Sequence, residues 1–565
     1  MGAGTDVKVG EVIPSVGENE TLVRMTTSLC PYCQRLLPAI VVEREDKLYI
    51  RKECPEHGVF EDLYYGDASL YARFSKYEEE GRGTTVYVPV AAPCPFSCGL
   101  CSMHRNHTAL LNVVVTNRCN LSCWYCFFYA EKAGFVYEPS IEQIAEQVRL
   151  VAKQGKTLAV QLTGGEPLLR DDLPEMIRVL KQEGVKHIQL NITGVGIAEV
   201  YWRSREQAIR WVRELREAGV NTVYLSFDGL TPQTNPKNHW EIPFILDAFR
   251  GGGLASIVLV PTVLRTVNDH ELGDIVRFAA ENIDVVRGVN FQPVSLTGRM
   301  KRHEVAKYRI TIPDVIKRVE EQTDGQITRD AWFPVPVAAK IARFVESFTG
   351  REQFLMANHV ACGAATYVFV ERGRGGEDIA FHPVSEFFDV EGFIGYIDDI
   401  RQKLEGSGGL KRAFYILRLA REIKGFVRRD TLPTGESFTG LLIEVFKKRS
   451  YEALGRLHYN SLFLGIMHFM DQYNYDVQRV MRCNIHYASP DGRVIPFCTY
   501  NVLNDIYRDR IIEKYGIPIE EWKKRAKGTH RYGASEKHNR NIEEIVKHPL
   551  YESTYRSFLN KIGPH

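Results

Sequence analysis

Strand-like and helix-like patterns alternate through the middle of this 565-residue chain, between about residues 108 and 300. Short runs rich in β-branched residues predict strands, and longer stretches with apolar residues three and four positions apart predict helices. The predicted strands cover residues 110–116, 157–163, 187–193, 222–227, 256–263 and 286–293, and the predicted helices cover residues 141–152, 173–183, 205–218, 242–249 and 270–281. This alternation predicts a parallel sheet, open or curled into a partial barrel, with ligands at the carboxyl ends of its strands.

Composition and charge indicate which classes of protein this chain can belong to. Hydrophobic residues make up 44% and charged residues 25%, which is ordinary for a chain that buries a large core. The net charge is +2, from 72 basic and 70 acidic residues, so we expect no bulk electrostatic binding of nucleic acid. Residues 1–20 lack the apolar core of a secretion signal, and no run of about 18 apolar residues predicts a membrane span. We therefore expect a cytoplasmic protein.

The cysteines are clustered, which favours metal ligands over disulfides in an intracellular chain. The first predicted strand runs into the loop NRCNLSCWYC, which contains Cys119, Cys123 and Cys126. Three thiolates on one loop can bind three irons of a [4Fe–4S] cube, whereas a structural zinc normally takes four protein ligands. The fourth iron of such a cube can chelate a small molecule through an amine and a carboxylate.

A second group of possible ligands lies near the N-terminus. Cys30 and Cys33 form a Cys-x-x-Cys pair, and Cys54 is followed three residues later by His57. These four residues can complete a tetrahedral site for a mononuclear zinc or iron ion, with Cys94 as the alternative to His57. A predicted strand at 41–50 lies between the two halves of the site. Such a small module gains folding energy from its ion.

Two further cysteine groups suggest one or two auxiliary [4Fe–4S] clusters. Cys94, Cys98 and Cys101 repeat the spacing of the loop at 119–126, and His104 and His107 are near along the chain but fit structural roles better. Cys483 and Cys498 flank a turn-forming SPDG sequence that predicts a hairpin. Cys362 can supply a third ligand to that pair, and buried free cysteines are the alternative interpretation.

The cluster loop and its context resemble the radical S-adenosylmethionine (SAM) superfamily. Tyr125 precedes the last cysteine of the loop, and the second predicted strand ends in the sequence TGGEP. The resemblance implies that a cluster on Cys119, Cys123 and Cys126 cleaves SAM to a 5′-deoxyadenosyl radical. It also implies SAM-binding roles for the residues Gly164, Gly165, Glu166, Pro167, Asn191, Thr193, Ser226 and Asp228. For the last four, a helix N-cap is the alternative role.

Within the superfamily, the N-terminal module, the sequence CPFSCGLC and the late sequence CNIHYASPDGRVIPFCTYN most resemble the archaeal tetraether lipid synthases. That resemblance implies carbon–carbon bond formation between the isoprenoid chains of an archaeal diether lipid. It also implies an electron donor such as ferredoxin and peripheral membrane association. Relatives often have a cysteine where this chain has Ala109.

Other substrates remain open. The alternatives are a radical SAM methylase or other modifier of a pterin-like cofactor, a peptide-modifying maturase, and an electron-transfer or nucleic-acid-binding protein. A long apolar tunnel to the Cys119 loop favours a lipid, a wide polar groove favours a peptide, and a compact polar pocket favours a pterin.

The expected architecture is therefore α/β, with a partial (β/α)6 radical SAM barrel at 108–300. A Cys-rich metal and auxiliary-cluster module precedes it at 1–107. A mostly helical extension follows at 301–565 and carries an auxiliary cluster and substrate-binding residues. Its predicted helices lie near residues 338–348, 409–424, 438–456 and 460–473.

Overall fold

The computed structural model describes residues 8–126, 128, 134–153, 159–297, 302–373, 378–405, 408–448, 461–526 and 537–563. The strands, in chain order, are β1 Thr21–Leu29, β2 Leu36–Arg44, β3 Lys47–Cys54, β4 Gly58–Tyr65, β5 Leu110–Thr116, β6 Phe135–Val136, β7 Ala159–Gly164, β8 His187–Ile192, β9 Thr222–Ser226, β10 Ile257–Val260, β11 Thr262–Val263, β12 Val286–Pro293, β13 Phe333–Pro334, β14 Gly363–Arg372, β15 Ile379–Pro383, β16 Ser461–Met467, β17 Ile485–Ala488, β18 Val494–Pro496 and β19 Ile517–Pro518.

The described α-helices surround two main sheets. In chain order they are Ala68–Ser75, Ile141–Ala152, Leu173–Gln182, Val195–Arg203, Arg205–Ala218, Ile242–Gly252, Leu272–Glu281, Arg302–Tyr308, Ile312–Gln322, Val337–Thr349, Val384–Phe387, Val390–Leu404, Gly409–Glu422, Phe438–Lys448, Val477–Met481, Phe497–Val502, Arg508–Tyr515, Ile519–Arg525, Ile542–Val546, Pro549–Tyr555 and Leu559–Ile562. No helix in the described part of the chain is both long enough and apolar enough to cross a bilayer.

The central sheet confirms the predicted partial barrel. Strands β5, β7, β8, β9, β10 and β12 pair side by side and in parallel. Six of the seven residues of β5 are buried, which explains its almost continuous apolar sequence. The predicted helices between these strands are all present, with ends that differ by at most three residues, and the helix Val195–Arg203 was not predicted.

The N-terminal strand prediction is wrong in one respect. The residues predicted as one strand, 41–50, belong to two antiparallel strands, β2 and β3. Glu45 and Asp46 form the turn between them with φ of 52° and 56°. Positive φ at both central residues is typical of the tight hairpin turn whose twist matches its strands. The apolar pattern continues through both strands, and the turn lacks the glycine that would have indicated it.

The C-terminal region is mostly helical, as predicted, but it also extends both edges of the barrel sheet. The predicted helix at 460–473 is wrong, because Ser461–Met467 is strand β16, parallel to β12 and antiparallel to β14. A short apolar run buried on both faces has no periodicity that distinguishes strand from helix. Residues 449–460, which include the end of the predicted helix at 438–456, lie outside the described residues.

The opposite edge confirms the predicted hairpin. Strands β17 and β18 pair around the SPDG turn, and β17 also pairs in parallel with β5, the first barrel strand. The two cysteines that flank the hairpin are thereby brought next to the strand that leads into the cluster loop.

Buried charged residues attach the N-terminal four-stranded sheet to the rest of the molecule. Asp476 is fully buried and accepts hydrogen bonds from Thr26 Oγ1 (2.6 Å) and Tyr64 OH (2.8 Å), and it forms an ion pair with Arg24. Burial would raise the pKa of Asp476, but the Arg24 guanidinium and these hydrogen bonds outweigh it and hold the pKa well below its usual range. This sheet therefore packs against the C-terminal region as a fixed part of the structure.

Candidate active site

A cavity of about 760 Å³ runs from the carboxyl ends of the barrel strands into the barrel, as far as Leu110 at the start of β5. It brings together predicted site residues from distant parts of the chain. Those that line it are Cys119, Cys123, Cys126, Gly164, Gly165, Asn191, Thr193, Ser226, Cys362, Cys483 and Cys498. The barrel and the C-terminal region thus share one cavity.

The GGEP segment holds the cluster loop by backbone contacts. Gly165 N donates to Thr116 O (2.8 Å), and Glu166 N donates to Arg118 O (2.8 Å). A Cβ atom on Gly164 would lie 1.9 Å from Thr116 O, and one on Gly165 would lie 1.9 Å from Arg118 O. The two glycines are therefore required by the close approach of the segment to the cluster loop, in addition to any approach to a ligand.

The loop supplies a donor set that fits a cluster with three cysteine ligands. Leu121 N donates to Cys119 Sγ (3.4 Å) and Phe128 N donates to Cys126 Sγ (3.3 Å), contacts that favour the thiolate form. Burial raises the pKa of the Cys119 and Cys123 thiols, so metal loading must displace protons from both. All three side chains line the cavity, which gives a fourth iron access to a small molecule.

Three of the predicted SAM-binding residues do not line the cavity. Glu166 is fully buried, and its carboxylate accepts hydrogen bonds from Thr193 N (2.7 Å) and Leu168 N (3.1 Å). Pro167 begins the short 3-10 turn after β7. Glu166 thus connects the end of β7 to the end of β8. Direct contact of Glu166 and Pro167 with SAM stays a prediction.

Asp228 has a similar buried position. Its carboxylate accepts a hydrogen bond from Thr262 N (2.9 Å), pairs with Lys237 Nζ at 2.8 Å and also accepts from Tyr125 OH. Tyr125 belongs to the cluster loop, so Asp228 positions that loop from the end of β9. Its predicted contact with SAM also stays a prediction.

A C-terminal segment outside the predicted site also contacts the cluster loop. Lys537 Nζ donates to the carbonyl oxygens of Cys119 (3.1 Å) and Leu121 (3.0 Å), and His538 N donates to Asn120 O (2.9 Å). No local sequence pattern marks these residues, because their partners lie more than 400 positions away.

Cys362, Cys483 and Cys498 form a group at another part of the cavity wall. Met470 N donates to Cys498 Sγ (3.4 Å), and His468 N donates to Cys362 O (3.0 Å). The guanidinium of Arg479 is buried beside them. Burial opposes its charge, but nearby Cys362 raises the pKa of Arg479 above its ordinary value. A buried cation next to Cys362 and Cys498 suits a site that becomes negatively charged on metal binding.

Cys94, Cys98 and Cys101 line a separate small pocket of about 10 Å³. His104 also borders it, but its Nε2 atom lies 2.9 Å from Cys483 O and 3.2 Å from His486 Nε2. These contacts support the structural role expected for His104. His107 likewise packs on Phe354, with ring centroids 4.2 Å apart.

The N-terminal ligands converge on one point. The ligand atoms of Cys30, Cys33, Cys54 and His57 lie within 4.8 Å of one another, and the Sγ atoms of Cys33 and Cys54 are 3.8 Å apart. An edge of about 3.8 Å is expected for a tetrahedron with metal–sulfur bonds of about 2.3 Å. Burial acts to raise the pKa of Cys54, but a hydrogen bond from His57 contributes to lowering it to about 7. The group fits a mononuclear metal, and the alternative ligand Cys94 belongs to the other pocket.

Comparison with known proteins identifies the family. Residues 113–279 match the Radical SAM superfamily, and residues 22–66 match the HMPTM N-terminal zinc ribbon domain. The chain is 43% identical over 512 residues to 7,8-dihydro-6-hydroxymethylpterin dimethyltransferase of Methanocaldococcus jannaschii, which is 89% of this chain and 97% of that protein. The chain belongs to the radical SAM family of this dimethyltransferase.

More distant similarities cover less of the chain. GTP 3',8-cyclase of Aquifex aeolicus is 32% identical over 179 residues, which is 30% of this chain and 52% of that protein. The solved structure of anSMEcpe with bound AdoMet has a TM-score of 0.30 and 13% identity, and the match covers 62% of this chain and 99% of that chain.

The dimethyltransferase family confirms part of the sequence analysis and corrects the rest. The protein is a radical SAM enzyme that uses SAM and a [4Fe–4S] cluster, carries a metal site in its zinc ribbon and needs a reductant. The resemblance to tetraether lipid synthases and the predicted coupling of isoprenoid chains are wrong, since the extensive match is to a pterin dimethyltransferase. The archaeal diether lipid substrate and peripheral membrane association lose their support, and ferredoxin as donor stays a prediction. The quoted motifs are those predicted to bind metal and SAM, and such motifs do not report which substrate the cavity accepts.

Proposed function

We propose that this enzyme methylates a reduced pterin, of the class of 7,8-dihydro-6-hydroxymethylpterin. The observation that carries the proposal is the 43% identity over 89% of the chain. That match extends far beyond the segment at 113–279 that radical SAM proteins share. It therefore includes most of the chain outside that shared segment.

The charge of the cavity supports a neutral substrate. Among the described residues that line it, Lys237 is the single lysine, arginine, aspartate or glutamate, and its Nζ atom is already paired with Asp228 at 2.8 Å. Burial holds the pKa of the lining residue His468 well below its ordinary value, so this imidazole is neutral. A nucleoside triphosphate would need several cationic partners for its phosphates. The cavity instead suits an uncharged heterocycle.

The polar side chains of the lining suit the hydrogen-bonding groups of a pterin. Amide side chains are frequent in it, namely Asn112, Gln161, Asn191, Asn290, Gln292, Asn358 and Asn484. Each carries both a donor and an acceptor, as do the lactam and amidine groups of a pterin. Asn191 Nδ2 donates to Thr163 Oγ1 (3.3 Å) and Asn290 Nδ2 donates to Met467 Sδ (3.1 Å), which orients both amides. Tyr224 and Phe463 also line the cavity and offer faces on which a planar ring can stack.

The protein's part in the reaction is binding and exclusion of water. When bound, the cluster and SAM supply the radical chemistry. The cluster loop would hold the cluster at one part of the cavity wall, and the amide side chains of the wall would bind the ring in the same cavity. Residues from β14, β16 and β17 complete the wall and limit the access of water to the reacting groups.

Anaerobic assays with reduced, iron-loaded enzyme and SAM test this proposal. We expect 7,8-dihydro-6-hydroxymethylpterin to bind and to increase the formation of 5′-deoxyadenosine at least tenfold, whereas GTP does neither. Mass spectrometry of the recovered pterin then checks for methyl groups in place of hydrogen, and SAM labelled in its methyl group shows whether SAM is their source. Stimulation by GTP but not by the pterin would overturn the substrate assignment.

Substitution of Cys123 by Ala tests the cluster assignment within the same assay. We expect this variant to form no 5′-deoxyadenosine with any substrate and to lose the cluster spectrum that responds to SAM. Cys33→Ala is the matched control, because it removes a thiol from the zinc ribbon and leaves the cluster loop intact. SAM cleavage by Cys123→Ala would contradict the assignment.

A further inference from the structure

Residues 537–541 cross the outside of the cluster loop and are held there by charged contacts. His538 lies between two carboxylates, with Nδ1 at 2.5 Å from Glu199 Oε1 and Nε2 at 2.8 Å from Glu241 Oε1. Arg540 Nε pairs with the same Glu241 oxygen at 2.8 Å. The side chains of His538 and Glu241 are only 5% and 2% exposed, so these contacts are shielded from solvent and keep the segment in place.

The same segment also contacts the residues behind the cluster loop. Arg540 Nη1 donates to Pro236 O (3.0 Å), and Nη2 donates to Lys237 O (2.8 Å). Lys237 in turn pairs with Asp228, which accepts a hydrogen bond from Tyr125 of the cluster loop. The segment thus fixes the cluster loop directly and through its neighbours.

Lys537 is the residue of this segment whose charged group contacts the cluster loop. Its ammonium group donates to the carbonyl oxygens of Cys119 and Leu121, at 3.1 Å and 3.0 Å. These two carbonyls flank Asn120, whose own carbonyl oxygen accepts from His538 N (2.9 Å). Three successive carbonyls are therefore turned toward the segment. The amide N–H of Leu121 points to Cys119 Sγ instead (3.4 Å), as a thiolate ligand requires.

We propose that Lys537 is a positioning residue for the SAM-binding cluster, which both fixes the turn at 119–121 and raises the reduction potential of the cluster. Reduction adds one electron, and a cation held against the ligand loop stabilises the reduced form more than the oxidised form. Net charge and hydrogen bonds near the ligands are established determinants of iron–sulfur potentials. The inference rests on the radical SAM cluster and is independent of the pterin assignment.

Redox titration of the holoenzyme, followed by electron paramagnetic resonance, tests the proposal. The signal that changes on addition of SAM identifies the SAM-binding cluster among all iron–sulfur signals. We expect Lys537→Met to lower the equilibrium constant for one-electron reduction of this cluster about tenfold. This change corresponds to a midpoint potential lower by about 59 mV. Lys537→Arg keeps the charge and should restore the wild-type midpoint.

Two further variants separate charge from structural support. Lys537→Gln keeps a hydrogen-bond donor without the charge, and we expect full iron content with the lowered midpoint. Lys523→Met removes one positive charge from an exposed pair with Glu520 and should leave the midpoint unchanged. If Lys537→Met cannot be loaded with iron, the comparison of Lys537→Gln with Lys537→Arg decides. Equal midpoints in fully loaded Lys537→Gln, Lys537→Arg and wild-type enzyme would overturn the proposal.

Discussion

At the scale of single residues, two adjacent glycines control how closely the cluster loop packs on the barrel. The nearest heavy atom to a Cβ on either glycine would be a backbone carbonyl oxygen 1.9 Å away, on Thr116 for Gly164 and on Arg118 for Gly165. Backbone cannot rotate aside as the end of a flexible side chain can. Any other residue at these positions must therefore displace the loop that carries the cluster ligands.

The substitution Gly165→Ala tests this constraint. We expect a loss of about 1–3 kcal/mol in the free energy of unfolding, as is usual when atoms are forced into a packed site, and a lower iron content. Chemical denaturation and iron analysis measure the two effects. Gly395→Ala is the control, because Gly395 is an exposed residue of the helix Val390–Leu404 with no atom within 4 Å of the new Cβ. The free energy of unfolding of the control should rise by about 0.5–1 kcal/mol. An equal rise in Gly165→Ala would contradict the packing argument.

At the scale of elements, the N-terminal sheet is attached through a buried charge rather than through apolar packing alone. Asp476 lies in the C-terminal region, and its partners Arg24, Thr26 and Tyr64 lie in the sheet. Loss of one member of a buried pair leaves the other without compensation, which typically costs about 3–5 kcal/mol. The ionised form of one carboxylate therefore contributes to the attachment of the sheet.

We expect Asp476→Asn to lower the free energy of unfolding by about 3 kcal/mol at pH 7, measured by chemical denaturation. Because the pKa of Asp476 is lowered in the folded state, its contribution is complete above the unfolded pKa of about 4 and is lost as the pH falls further. The difference between wild type and variant should therefore shrink below pH 4. A difference that is constant between pH 7 and pH 3 would rule out the ionised carboxylate as its source.

At the scale of the whole molecule, the cavity wall is assembled from segments that lie far apart in sequence. Strand β17 pairs with the first barrel strand, and β16 pairs with the last, so the C-terminal region meets both edges of the barrel. These two pairings place Cys362, Cys483 and Cys498 in the wall of the same cavity as the cluster loop. We propose that these three cysteines bind an auxiliary cluster.

Iron analysis of cysteine variants tests this proposal. Relative to wild type, we expect the double variant Cys483→Ala/Cys498→Ala to lose about four irons per chain, the content of one [4Fe–4S] cube. The SAM-responsive signal of the Cys119 loop should persist in it. Unchanged iron content in the double variant would show that these residues are free thiols.

The sequence by itself determined the barrel and the candidate ligand groups, because both depend on local patterns. Apolar periodicity along β5 and the following helix, and the close spacing of Cys119, Cys123 and Cys126, are properties of short segments. Their physical consequences do not require knowledge of the rest of the chain. The zinc ribbon ligands were predictable for the same reason.

Only the tertiary structure decided what surrounds those groups. The strand β16, the pairing of Asp476 with Arg24 and the contact of Lys537 with Cys119 join residues that are hundreds of positions apart. The cavity lining, with its seven amide side chains, is likewise assembled from strands and loops of the whole chain. Substrate choice depends on the shape and charge of that assembled surface, and no local sequence pattern encodes it.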